Sequence, residues 1–140
     1  GDALINKDIV QYDDIDTAII TIKFASGAMA VIDNSRQAAY GYDQRIEVFG
    51  SKGMVNCENN TPTRATLFTK DGVVKDKPLY FFLERYLQSF EEELAQFFKA
   101  LETGQQTPVV GKDGLVALLM AVAAKKSLKE NRPVSISEIY

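Results

Sequence analysis

The chain of 140 residues has no histidine, no tryptophan, one cysteine and four prolines. Histidine is the side chain whose ordinary pKa lies nearest neutrality. Its absence removes Ser-His-Asp, Cys-His and histidine-based metal chemistry together, though not catalysis as such. A lone cysteine, Cys57, cannot close an internal disulfide, which fits a reducing compartment. No signal peptide, lipidation motif or apolar run of membrane-spanning length is present, so the expected location is cytoplasmic, with no membrane partner. Basic blocks are missing too. The net charge is −3, and Lys125, Lys126 and Lys129, the nearest thing to a cluster, read as solvated lysines at a helix C-terminus. A nucleic-acid partner is therefore not expected.

What is present is ordinary for a globular protein: 46% apolar and 25% charged residues. The length suits one domain, residues 1–140, of a size that buries roughly 68–70% of its unfolded surface. There is no internal repeat, low-complexity tract or linker.

The first half reads as strands. From Thr17 to Phe24 the chain alternates, with Ala18, Ile20, Ile22 and Phe24 on one face. Ala25-Ser26-Gly27 turns into a second strand, Ala28 to Ser35. Tyr40-Gly41-Tyr42-Asp43 is the next turn, with Gly41 able to take positive φ. Gln44 to Phe49 and Met54 to Cys57 are strands across Gly50-Ser51-Lys52-Gly53. Ala65 to Thr69 and Val73 to Lys75 form a hairpin over Asp71-Gly72, while the polar stretch from Glu58 to Arg64 is a loop. Short turns between close strands imply an antiparallel sheet. Ile19, Val31, Ile46 and Val48 would make its second face partly apolar, which calls for a second partner.

The second half is helical. Leu83, Leu87, Phe90, Leu94, Phe97 and Leu101 recur at steps of four and three, one stripe of a helix that Gly104 stops. This stripe is a docking face for the sheet. A second helix spans Asp113 to Glu130, with Asp113 as candidate N-cap, and Asn131 and Pro133 end it. Val134 to Ile136 is read as a short final strand. Strands first and helices second predict an α+β domain: an open, mainly antiparallel sheet with two long helices packed on one face.

Most clusters of chemical groups have a plain reading. Asp13, Asp14 and Asp16 lack the spacing of a calcium loop and read as a solvated strand entry; no metal is expected. Glu91, Glu92 and Glu93 point in different directions on a helix. Cys57 has no electropositive setting in sequence and reads as a small strand residue. Gly50-Ser51-Lys52-Gly53 lacks the following helix of a phosphate loop.

Tyr40-Gly41-Tyr42-Asp43-Gln44-Arg45 is different. Two aromatics, a carboxylate, an amide and a guanidinium on one turn suit a polyol, whose hydroxyls they can bond and whose C–H faces the rings can cover. The plain alternative is an amphipathic hairpin, and residue types alone favour it. Phe81-Phe82-Leu83-Glu84-Arg85-Tyr86 reads as a core anchor with a surface Glu–Arg pair; Tyr86 is the residue there best suited to another role.

These two segments, with Asp16 to Ile20, Ala30 to Arg36, the run on to Gly50, Pro78 to Tyr86 and Ala123 to Leu128, resemble the glucose–fructose oxidoreductase and inositol dehydrogenase family over nearly the whole chain. The resemblance implies the C-terminal domain of a bacterial enzyme that oxidises myo-inositol to scyllo-inosose with NAD. It implies an N-terminal Rossmann domain that binds the cofactor, and a sheet face that builds dimers or tetramers. The partners implied are that domain, further copies, and inositol or a related polyol.

The sequence also departs from the family's full pattern. It has no Gly-x-Gly-x-x-Gly, no Glu-Lys-Pro segment with the catalytic lysine, and no Asp-x-x-x-His pair. By resemblance the chain then carries no catalytic residue and no cofactor site of its own, and is inactive alone. It carries a wall of the substrate site. Tyr42 is the first candidate for a contact to the inositol ring or for a catalytic group, Tyr40, Asp43 and Arg45 support the site's shape, and Tyr86 lines the pocket from the helix; Asn34 and Arg36 are weaker candidates. The alternatives are a self-standing binding or assembly module without activity, and the same family acting on another sugar or cyclitol.

Overall fold

A computed structural model describes residues 1–140. The chain is α+β, with six strands paired antiparallel and two long helices. It divides into two compact units, Gly1–Gln37 with Lys99–Tyr140, and Ala38–Phe98.

The first unit begins with a 3-10 turn, Lys7–Tyr12, which the Asn6 side chain starts by accepting the Asp8 N–H. The hairpin β1 (Thr17–Lys23) and β2 (Met29–Ser35) follows, in a register that sets Ile20 opposite Ile32. The alternation holds within the strand: Ala18, Ile20 and Ile22 are half-buried, whereas Ile19 and Val31 on the other face are about 70% and 67% exposed; Phe24, read on the buried face, lies past the end of β1 and is exposed. The turn between the strands is closed by Gly27 at φ 88°.

The solvated strand entry is corrected at Asp16. This carboxylate is buried, and it accepts the N–H groups of Leu4, Ile5 and Asn6 and the Thr17 hydroxyl at 2.8–2.9 Å. A short chain reversal leaves those three amides without ladder partners, and the side chain supplies the missing acceptor. Asp13 does stay exposed, where it pairs with Lys125 and Lys129.

Helix α2 runs Gly111–Glu130. Its N-cap is Val110 rather than Asp113. Asp113 stands three residues later and accepts the Val110 N–H at 2.8 Å, the reverse half of a capping box. The helix ends as expected at Asn131, in the left-handed region at φ 51°. The final strand is not formed. Ile136–Glu138 is a 3-10 turn, because Glu138 accepts the Ser135 N–H and both terminal nitrogens of Arg132.

The second unit holds β3 (Ile46–Gly50) with β4 (Gly53–Cys57), β5 (Thr66–Thr69) with β6 (Gly72–Lys75), and most of α1 (Phe82–Thr103). The six strands pair as three separate hairpins, and outside them Asp2 forms an isolated antiparallel bridge with Thr17. Gly104, with φ 65°, stops α1 where the sequence placed the stop. The stripe residues from Leu83 to Leu101 are 41–65% exposed. Burial in this unit concentrates instead at Gly41, Tyr42, Asp43, Asn59, Pro78, Leu79, Arg85 and Tyr86.

Candidate functional site

The polar turn at 40–45 is built around Gly41. Its φ is 140°, and a Cβ there would stand 2.8 Å from the Pro78 carbonyl oxygen and 3.1 Å from that of Leu79. Both neighbours are backbone, so only glycine lets the two segments approach this closely. Tyr42 N–H then donates to the Leu79 carbonyl at 2.8 Å, and Leu79 N–H donates to the Asn60 carbonyl at 3.0 Å. Leu79 thus joins the tyrosine turn to the loop at 58–64, directly before α1 begins.

Asp43 is the brace of the turn. One of its oxygens accepts Arg45 Nε and Asn59 Nδ2, each at 2.7 Å; the other accepts Arg45 Nη2 at 2.9 Å and the Tyr40 hydroxyl. A carboxylate offers about four acceptor positions, and here all are used. The Arg45 guanidinium, then the Tyr40 hydroxyl and the Asn59 amide, hold the Asp43 carboxyl well below the usual carboxylate range. Reciprocally, the Asp43 carboxylate pushes the Tyr40 phenol up.

Gln44 joins this turn to α1. Its N–H donates to Asn59 Oδ1 at 2.8 Å, its carbonyl accepts Arg85 Nη2 at 3.3 Å, and its side-chain oxygen accepts the Tyr86 hydroxyl. The Tyr42 and Tyr86 rings meet edge to face, 5.6 Å apart at 83°, a favourable aromatic geometry. The Tyr42 hydroxyl beside it, and then burial, push the Tyr86 phenol above its ordinary value. Phe90, one helical turn on, packs edge-on against Tyr86 at 6.3 Å.

All five residues singled out from sequence, Tyr40, Tyr42, Asp43, Arg45 and Tyr86, lie in the second unit. Two linked groups result: the Tyr40–Asp43–Arg45 brace and the Tyr42–Tyr86 ring pair. Asn34 and Arg36 lie in the first unit, where Arg36 N–H extends the strand pairing by donating to the Asp16 carbonyl at 2.8 Å. The surface Glu84–Arg85 pair is not made. Glu84 accepts the Tyr80 N–H at 3.0 Å at the start of α1, and Arg85 reaches Gln44. Sequence reasoning missed Asn59 altogether. It sits in a polar loop with no motif, and only the folded chain brings it against residues 15 and 16 positions earlier.

Such a site can exchange hydrogen bonds with hydroxyl groups and cover an apolar C–H face with a phenol ring. A dinucleotide is another matter. Gly50-Ser51-Lys52-Gly53 joins two antiparallel strands with no helix after it. The first turn of α2 already holds the Asp113 carboxylate, where a pyrophosphate would require free N–H groups. Neither segment therefore has the form of a pyrophosphate cradle.

Residues 3–136 match the model of the oxidoreductase family, C-terminal alpha/beta domain. The chain belongs to that family. It is 56% identical over 136 residues to the Bacillus subtilis oxidoreductase YrbE, covering 97% of this chain and 40% of that protein. It is 49% identical over 139 residues to a Thermotoga maritima myo-inositol 2-dehydrogenase, covering 99% of this chain and 42% of the relative. A crystal structure of a probable dehydrogenase from Thermotoga maritima superposes with a TM-score of 0.96 at 48% identity, over the full chain and 42% of its own length. The chain thus spans about two-fifths of the relatives it matches.

Proposed function

We propose that this chain is the substrate-side and assembly domain of an enzyme that oxidises myo-inositol to scyllo-inosose with NAD, the cofactor being held by an N-terminal Rossmann domain. The observation that carries this reading is the Tyr42–Tyr86 pair, with its 5.6 Å ring separation and the Tyr86 hydroxyl bonded to Gln44, in a chain 49% identical to a myo-inositol 2-dehydrogenase.

In this reading the Tyr42 hydroxyl bonds a ring hydroxyl of the cyclitol, and its ring lies against an apolar C–H face. Tyr86 closes the pocket from α1. Asp43, with its acceptor positions taken, shapes the turn together with Tyr40 and Arg45 and leaves the polyol to the phenols. Hydride transfer requires the nicotinamide and a proton acceptor that the rest of the enzyme supplies, so the chain alone is inactive. The exposed apolar residues of β1 to β4 and α1 are covered by the cofactor domain and by further copies of the enzyme.

The test is NAD reduction by the full-length protein with myo-inositol, wild type beside Tyr42→Phe, with this chain alone as a third sample. Wild type is expected to turn over. Tyr42→Phe is expected to lose about 10–100-fold in kcat/KM, the scale of one lost hydrogen bond to a desolvated hydroxyl. The chain alone is expected to be silent. A wild-type enzyme that ignores inositol but accepts another cyclitol or sugar would overturn the substrate, and NAD reduction by the chain alone would overturn the division of labour.

A further inference from the structure

Tyr42 can hold a substrate hydroxyl at a fixed place only if its own backbone is fixed on both sides. On the N-terminal side the close contact of Gly41 with Pro78 and Leu79, and the Tyr42 N–H bond to Leu79, do this. On the C-terminal side, two bonds to a single amide bear on the next two residues. Asn59 Nδ2 donates to Asp43 Oδ1 at 2.7 Å, and Asn59 Oδ1 accepts the Gln44 N–H at 2.8 Å. Gln44 in turn takes the Tyr86 hydroxyl. Asn59 is half-buried, and its neighbour Asn60 receives the Leu79 N–H, so the loop that carries it is anchored next to the clasp.

We propose that Asn59 is a positioning residue: its amide clasps residues 43 and 44 and thereby fixes both the Tyr42 and Tyr86 rings that face the substrate. The amide is the chemically apt group, since it must donate to a carboxylate and accept from a backbone N–H at once. In Asn59→Asp the acceptor is kept and the donor is lost, and a second negative charge is set against Asp43. The titratable and charged groups around the clasp are Tyr40, Asp43 and Arg45 on the turn and Arg85 and Tyr86 on α1. When the introduced carboxylate and Asp43 take up one proton between them, the resulting O–H restores the missing donor. Activity relative to wild type should then recover as pH falls.

The inference rests on the functional reading above, and the experiment separates the two. Hydrogen exchange at the amides of Tyr42 and Gln44 is followed in the full-length protein and its Asn59→Ala variant, and steady-state kinetics with myo-inositol and NAD are measured for wild type, Asn59→Ala and Asn59→Asp from about pH 4 to about pH 8, a span that includes the value of about 4.7 at which two neighbouring carboxyl groups can share a proton. Exchange at both amides should quicken about 10-fold in Asn59→Ala, with kcat/KM down about 10-fold, the scale of one lost hydrogen bond. The ratio of Asn59→Asp to wild type should rise toward low pH. Unchanged exchange at Tyr42 overturns the clasp whatever the substrate, as does wild-type kinetics in Asn59→Ala or an Asn59→Asp ratio that is flat with pH. A wild type inactive on inositol, with both amides still quickened by Asn59→Ala, sinks the substrate assignment while the clasp stands.

Discussion

Asp16 is a buried charged side chain, and it is surrounded by donors. Burial pushes its carboxyl up, but the N–H groups of Asn6, Leu4 and Ile5 and the Thr17 hydroxyl outweigh this and hold it at about 2, against an ordinary 3.8. A carboxyl depressed in the folded state contributes stability above its unfolded pKa and loses it as pH falls through the folded one. The window here is about pH 4 down to about pH 2. Asp16→Asn should lower the urea midpoint at about pH 7, since a neutral amide oxygen accepts more weakly than a carboxylate. The gap to wild type should close between the two ends of that window; a gap that persists below its lower end would mean that the charge is not the cause. Reading from sequence fared unevenly at this scale. Tyr40, Tyr42, Asp43 and Arg45 can be grouped from sequence because they share one six-residue segment marked by Gly41. Asn59 was not, because an asparagine in a polar loop has no local signature and acquires its role through partners distant in the chain. Asp16 was misread because three neighbouring carboxylates look alike in sequence, whereas only one is reached by the orphan amides of residues 4 to 6.

At the scale of elements, periodicity served well where it was long. The six-residue stripe fixed α1, and the alternation from Thr17 fixed β1, because each repeat samples the same face many times. It failed at Val134 to Ile136. Three residues carry little preference, and the side chains of Ser135, Glu138 and Arg132 offered the backbone a local alternative. Asp113 was misplaced for a related reason: an acidic residue at a helix start fits the N-cap or the third helical position equally well in sequence, and only the Val110 N–H bond decides. The C-terminus of α2 yields a prediction. Asn131 sits at φ 51°, ψ 43°, a conformation in which a Cβ costs about 1–2 kcal/mol, less for asparagine and least for glycine. Asn131→Ala should therefore destabilise by about 1 kcal/mol, and Asn131→Gly should match or exceed wild type. Thermal unfolding midpoints in the order glycine, asparagine, alanine check the reading. An alanine variant as stable as wild type would show that the helix end does not depend on this conformation.

At the scale of the whole molecule, what stands out is how much large apolar surface is exposed. Ile19 and Val31 on the first hairpin are about 70% and 67% exposed, and Val48 and Val55, paired across the second, about 63% and 67%. Burying such a side chain contributes about 1.5–3 kcal/mol, so a partner that covered them would stabilise the chain. No helix of the chain is long and apolar enough to cross a membrane. In the enzyme proposed above, the candidates to cover this face are its cofactor domain and a second copy. Val48→Glu distinguishes them. The position lies in mid-strand on an exposed face, so the backbone ladder of β3 with β4 can tolerate the change, while a desolvated carboxylate opposite Val55 cannot be accommodated in an apolar contact. Sedimentation of the full-length protein should show a smaller species for Val48→Glu than for wild type if copies meet on this face. An unchanged mass with a lowered unfolding midpoint would assign the face to the cofactor domain, and an unchanged mass with an unchanged midpoint would show that neither covers it.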